Sequence, residues 1–327
     1  MATAEKNLSL SVPDLQKQLE AYKSQNVAVL GDGEVFVRRA AEGQIRAIKG
    51  AVTLSESNGE IAVIKDKAMT TGKGFNAANQ ITSLSIITPE KLTLPDGSVV
   101  VNPYPIMDQE SGTIRKFWVK KMAVGYGPTG NLVLTSATLL YDINMYFIQD
   151  LLKKVTYNKE AGRVCFEQML TDEEKQKGIF YKIDGGMGVW ADVNHKDILK
   201  AIDTFVNKKQ FAERNAQTIA ERLVMAKHPA LSHIAYVNAQ GPDKQRTAKV
   251  KLVGYMTDMD QGQLLELAQK AEKGEDVKVD GKPVEVIETT AEASYEEMAA
   301  QADDEEQLQQ AAPEETPSQT DTGGGLF

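Results

Sequence analysis

The chain has 327 residues, of which 42% are apolar and 25% charged, and its net charge is −9. This usage is ordinary for a globular protein and excludes a fibrous or wholly disordered chain, while the length allows one large domain or two modest ones. No apolar run approaches the roughly 20 residues of a membrane helix, and Met1-Ala-Thr-Ala-Glu-Lys opens neither a signal peptide nor an anchor, so a cytoplasmic protein with no membrane partner is expected.

Residues 1–26 read as a helical arm, started by Ser11-Val-Pro13-Asp14 and carrying Leu15, Leu19 and Tyr22 along one face. A folded body of residues 27–288 follows. From Val27 to Ile64 short apolar runs alternate with glycines, and Arg38, Arg39, Arg46 and Lys49 cluster within twelve positions, a pattern read as a solvated helix face in preference to a phosphate site. Thr71-Gly-Lys-Gly-Phe75 lacks the spacing of a phosphate-binding Walker loop.

Between Ile81 and Tyr141 the pattern is β-structure, with turns at Pro95-Asp96-Gly97, Gln109-Glu-Ser-Gly112 and Gly127-Pro128-Thr129-Gly130. One strand, Ile114 to Tyr126, interleaves Arg115, Lys116, Lys120 and Lys121 with Phe117, Trp118 and Tyr126. Its expected partner, Asn131 to Tyr141, has no charge. Asp142 or Asn144 then caps a helix ending in Lys153-Lys154.

Strands are expected at Val164–Met169, Ile179–Ile183 and Val189–Val193, the last two joined by a Gly185-Gly186 turn. A long helix runs from about His195 to Lys227, broken near Asn207 and stopped by Pro229. A strand at Ala248–Tyr255 and a helix from Asp260 to Lys273 close the body. Cys165, the single cysteine, falls in a strand and reads as a buried, inert thiol in a reducing compartment.

The charge is unevenly spread. Residues 291–327 hold ten acidic and no basic residues, whereas residues 1–250 hold 32 basic and 27 acidic. A body with a mild positive excess and a strongly acidic tail is a hint of nucleic-acid interaction or of a charged interaction tail. Residues 289–327 carry too few large apolar groups to offset chain entropy and are expected to be disordered, up to the apolar tip Leu326-Phe327.

Enzyme chemistry finds little support. The three histidines, His195, His228 and His233, are not at metal-ligand spacings, and no nucleophile elbow or dinucleotide fingerprint occurs. No catalytic residue, metal or cofactor is expected; a nuclease with scattered carboxylate ligands is a third hypothesis, which predicts metal-dependent strand degradation.

The tail, with its acidic run Asp303-Asp-Glu-Glu306 and its ending Gly323-Gly-Gly-Leu-Phe327, resembles that of bacterial and phage single-stranded DNA-binding proteins. The resemblance covers about the last 37 residues and implies recruitment of replication or recombination proteins through Leu326 and Phe327. The body, with basic aromatic hairpins before Phe211-Ala-Glu-Arg-Asn-Ala-Gln-Thr-Ile-Ala-Glu-Arg-Leu223, resembles phage strand-annealing proteins of the RecT and Erf sort.

The expectation is therefore an α+β protein: an antiparallel sheet and hairpins packed with one long helix, followed by a disordered acidic tail, and not a simple OB-fold. Its expected function is sequence-independent binding of single-stranded DNA in phage or mobile-element replication and recombination, in the cytoplasm of a bacterial host, with annealing and homo-oligomer formation left open. Arg115, Lys116, Lys120 and Lys121 would hold phosphates while Phe117, Trp118 and Tyr126 stack bases. Arg214, Arg222, Lys244, Arg246 and Lys249 are second-tier phosphate ligands. The competing reading is a phage structural or assembly protein with a regulatory acidic tail.

Overall fold

The computed structural model describes residues 35–40, 43–64, 67–256, 259–279 and 281–300. The expected N-terminal arm and the tip Leu326-Phe327 lie outside them. In chain order the elements are β1 (Val35–Ala40), β2 (Gly43–Ser55), β3 (Ile61–Ile64), β4 (Lys67–Thr70), α1 (Gly72–Thr82), β5 (Ser85–Ile87), β6 (Lys91–Thr93), β7 (Val99–Val101), β8 (Tyr104–Met107), β9 (Ile114–Tyr126), β10 (Leu132–Asp142) and α2 (Ile143–Tyr157). There follow β11 (Gly162–Phe166), α3 (Asp172–Lys177), β12 (Gly178–Asp184), β13 (Met187–Asp192), α4 (Lys196–Gln210), α5 (Ala212–Lys227), β14 (Tyr236–Val237), β15 (Thr247–Met256), α6 (Gln261–Glu272), β16 (Lys278–Val279), β17 (Lys282–Pro283) and β18 (Glu285–Glu292). The α+β class is as expected.

Two compact units share the chain. Of the described residues, the first comprises those from Val35 to Asn144 together with Phe211–Ala293, and the second comprises Met145–Gln210 together with Ser294–Ala300. The two units are thus interleaved along the chain, within and beyond the span of residues 27–288 expected to form one body.

The first unit is built on a five-stranded sheet of order β18-β10-β9-β5, with β8 also paired to β9. The β9–β10 hairpin forms as expected, Tyr126 opposite Leu132 and Lys116 opposite Asp142. The sheet is mixed, because β18 runs parallel to β10. A second sheet has the order β1-β2-β15, and all its pairs are antiparallel. Buried Leu54, Phe75, Val250, Leu252 and Met225 share one core cluster, and Met122, Val124, Leu134, Tyr255 and Leu267 share another. At about 25 cal/mol per Å² of apolar surface, these clusters supply the main stabilisation of the unit.

The second unit is a three-stranded antiparallel sheet, β11-β13-β12, whose core joins Phe147, Leu151, Val189, Ala191 and Ile198. The Gly185-Gly186 hairpin is as expected, and the long helix breaks at Phe211 rather than near Asn207, giving α4 and α5.

The expected start of the acidic tail, residue 289, needs correction. Residues to Glu292 belong to β18, and residues 295–300 are helical. Ser294 and Glu297 bond reciprocally, the hydroxyl accepting from the Glu297 N–H and the carboxylate from the Ser294 N–H. Tyr295 stacks on Tyr146 with ring centroids 4.8 Å apart, and its hydroxyl donates to Asp150 at 3.0 Å. The buried Lys208 ammonium donates to the Met298 carbonyl at 2.6 Å and lies 4.5 Å from the Tyr146 ring centroid. Burial and then the Asp150 charge push the Tyr295 hydroxyl up to about 12. Two large side chains, Tyr295 and Met298, hold this segment in place within an otherwise acidic stretch.

Candidate nucleic-acid interface

The strand expected to carry the site is β9, and its position in the sheet decides what its side chains do. It lies between β10 on one side and β5 and β8 on the other. Phe117 is buried (2% exposed), Tyr126 lies in the core with its ring centroid 6.1 Å from that of Tyr255, and Trp118 is half-buried. The expectation that Phe117 and Tyr126 stack bases is therefore corrected: apolar burial takes both rings into the core. Trp118 keeps partial exposure.

The cations of β9 are also occupied. Lys121 is 4% exposed, and its ammonium reaches Glu221 at 2.9 Å, Thr88 at 2.8 Å and Gln217 at 3.2 Å. Gln217 and Glu221 stand one turn apart on α5, so the helix presents both acceptors to the same nitrogen. A charge this deep must be paired, since desolvation alone costs several kcal/mol. Lys116 pairs with Asp142 at 2.6 Å and Lys120 with Glu272 at 3.5 Å. Lys121 is removed from the candidate phosphate ligands by burial, Lys116 and Lys120 are engaged by carboxylates, and Arg115 is exposed.

On α5, Arg222 is buried; its Nε donates to the Thr70 carbonyl at 2.8 Å, and its guanidinium lies 5.9 Å from the Phe75 ring centroid. This corrects the expectation of a phosphate contact there: Arg222 joins α5 to the end of β4. Arg214 is exposed, with its guanidinium 4.5 Å from the Phe211 ring centroid. In the turn before β15, Lys244 is exposed and adopts φ 61°, while Arg246 pairs with Glu56 at 3.5 Å and Asp243 at 3.1 Å. Arg246 also lines a pocket of about 290 Å³ with Asn238 and Gln240. Lys249 stands exposed on β15.

That lysine belongs to a surface the sequence reading missed. Along β15, Ala248, Val250 and Leu252 are buried, whereas Thr247, Lys249 and Lys251 are exposed, the period-two alternation of a strand with one face in the core. Lys249 is opposite Thr53 and Lys251 opposite Ala51 on β2, both exposed, and Val253 is opposite the half-buried Lys49. His233 lies beside the sheet, its Nε2 3.1 Å from the Lys251 carbonyl. Across β1, β2 and β15 there are six basic residues, Arg38, Arg39, Arg46, Lys49, Lys249 and Lys251, and no acidic one.

The cluster from Arg38 to Lys49 is thus on a β-hairpin and not on a helix, with Arg38 in register with Ile45 and Arg46 with Val37. A charge count over paired strands, instead of over the linear chain, is the signal that finds this sheet. Among the described residues no group of His, Cys, Asp and Glu is placed to hold a metal ion, and no helix is long and apolar enough to cross a membrane. Comparison with protein-family models, curated proteins and solved structures finds no match to this chain.

Proposed function

We propose that the protein binds single-stranded DNA without sequence preference, through the outer face of the β1-β2-β15 sheet. The observation that carries this reading is the pair Lys249 and Lys251, exposed on one face of β15 with half-buried Lys49 on the same face of β2, on three paired strands that hold no acidic residue in a chain whose net charge is −9. A cationic surface of this kind follows a phosphate backbone by charge alone, without reading bases. Lys249 and Lys251 are the principal phosphate ligands, with Lys49 and Lys244 extending the track. Tyr236, 63% exposed on β14, offers a ring face for stacking. Annealing of complementary strands, and recruitment of replication or recombination proteins by Leu326 and Phe327, belong to the same proposal.

Fluorescence anisotropy of a labelled single-stranded oligonucleotide across a salt series tests it. Each phosphate contact to a single strand contributes about 0.7 to the slope of log K against log salt, so replacing Lys249 and Lys251 by alanine lowers the slope by about 1.4. An unchanged slope, or no binding by the intact protein, overturns the proposal. The second reading, an assembly protein, rests on a separate observation: half-exposed Val164 and Phe166 on a strand edge of the second unit.

A further inference from the structure

Strand β11 is an edge of its sheet, paired with β13 on one side and, among the described residues, with no strand on the other. The Glu167 N–H donates to the Gly186 carbonyl and the Asp192 N–H to the Ala161 carbonyl, both at 2.9 Å. The odd-numbered residues of β11 therefore turn their backbone groups toward β13, and those of Gly162, Val164 and Phe166 face the open side. The edge is apolar as well, with Val164 48% and Phe166 49% exposed. The opposite edge of the same sheet, β12, carries Lys182 and Asp184 and a register shift between them, devices that discourage further pairing. The side chain of Arg163, the only charge within β11, is turned to Glu174, which it holds at 3.0 and 3.1 Å.

We propose that β11 pairs antiparallel with β11 of a second copy of this chain, about a twofold axis through Cys165. This register sets Val164 opposite Phe166 of the second copy at both hydrogen-bonded positions, so the outward N–H and C=O groups of these two residues are satisfied and the apolar side chains meet. Arg163 then stands opposite Glu167 of the second copy, and the axis repeats the charge pair. Glu167 is exposed, and the Arg163 side chain keeps 40% exposure beyond its bonds to Glu174 and the Met169 carbonyl. Of its five guanidinium donors, three are used within the protomer. A register centred on Val164 instead sets Arg163 against Cys165 and Gly162 against Phe166, losing both the charge pair and the apolar pair. Self-complementarity in apolar and ionic contacts at once is what an isologous interface requires, and it selects a second copy over an unrelated strand.

Sedimentation velocity of the full chain, from about 1 to 100 µM, is the test. The intact protein is expected to dimerise in this range. Replacing both Val164 and Phe166 by lysine is expected to weaken dimerisation at least tenfold with the circular dichroism spectrum unchanged. Glu167→Arg, an exposed position that sets like charges face to face, is expected to weaken it as well, and decides the matter should the double variant misfold. Lys182→Ala on the guarded edge is expected to leave the dimer intact. A protein monomeric at every concentration, or a dimer indifferent to Glu167→Arg and to a folded lysine pair, overturns the proposal.

Discussion

Lys121 and Lys249 have the same side chain on strands of the same unit, and burial assigns them different work. Lys121 is enclosed between β9 and α5 and neutralised by Glu221, whereas Lys249 projects from a sheet face. Lys121→Ala is therefore expected to destabilise the protein by about 2–3 kcal/mol, below the full cost of breaking a buried pair because Glu221 retains solvent, and to leave oligonucleotide affinity within twofold. Lys249→Glu is expected to do the reverse: a melting temperature within about 1 °C of the parent and affinity reduced at least tenfold. Chemical denaturation and anisotropy on the two variants check both.

A second residue-scale expectation concerns His228, which is fully buried. Its Nδ1 accepts from the Ala230 N–H at 3.2 Å, so the neutral ring carries its proton on Nε2 and donates to the Val133 carbonyl at 3.3 Å. Burial holds its pKa below the usual 6.5. Because the folded value is depressed, the unfolded chain takes up the proton first: the stabilisation is complete above pH 6.5 and declines as pH falls from there toward the folded pKa. The melting temperature is thus expected to fall between pH 7 and pH 5, and to fall less in His228→Gln. Equal slopes in the two proteins would remove His228 as the cause.

At the scale of elements, the close approach of β15 to α1 sets the orientation of the basic sheet. A Cβ at Gly254 would overlap the Ile81 carbonyl oxygen, and one at Gly50 would lie 2.8 Å from the Ile81 side chain. Gly254→Ala is expected to cost about 3 kcal/mol or more, because the obstacle is backbone and cannot rotate away; equilibrium urea unfolding measures this. The alternation of β15 was legible in the sequence, as were the β9–β10 hairpin, the Gly185-Gly186 turn and the helix capped by Asp260. Each of these announces itself by local period or turn chemistry.

What was not legible depends on distant partners. β9 reads as an exposed cationic strand until α5 and α6 supply Glu221 and Glu272, residues about a hundred positions or more away. β1 and β2 read as a helix face because a run of arginines has no period of its own. β18 reads as the start of a tail because Glu285, Glu288 and Glu292 dominate its composition, and only its parallel pairing with β10 makes it a strand.

For the whole molecule, the net charge and the local charge of the proposed interface have opposite signs, and salt determines which one DNA meets. At about 10 mM salt the Debye length is about 30 Å, so an approaching strand feels much of the net −9; at 0.1 M it is about 10 Å, and the sheet face acts nearly alone. Affinity is therefore expected to rise as salt is lowered toward 0.1 M, with the slope its phosphate contacts dictate, and then to flatten as whole-molecule repulsion grows. Residues 301–327 hold seven acidic and no basic residues, so deleting them takes the net charge from −9 to −2. The truncated protein is expected to keep the linear rise down to about 10 mM and to gain most in association rate, the quantity that long-range charge governs. Stopped-flow binding at 10, 30 and 100 mM salt separates the cases: a truncation that changes the rate equally at all three concentrations would point to a local effect of the segment instead of its charge.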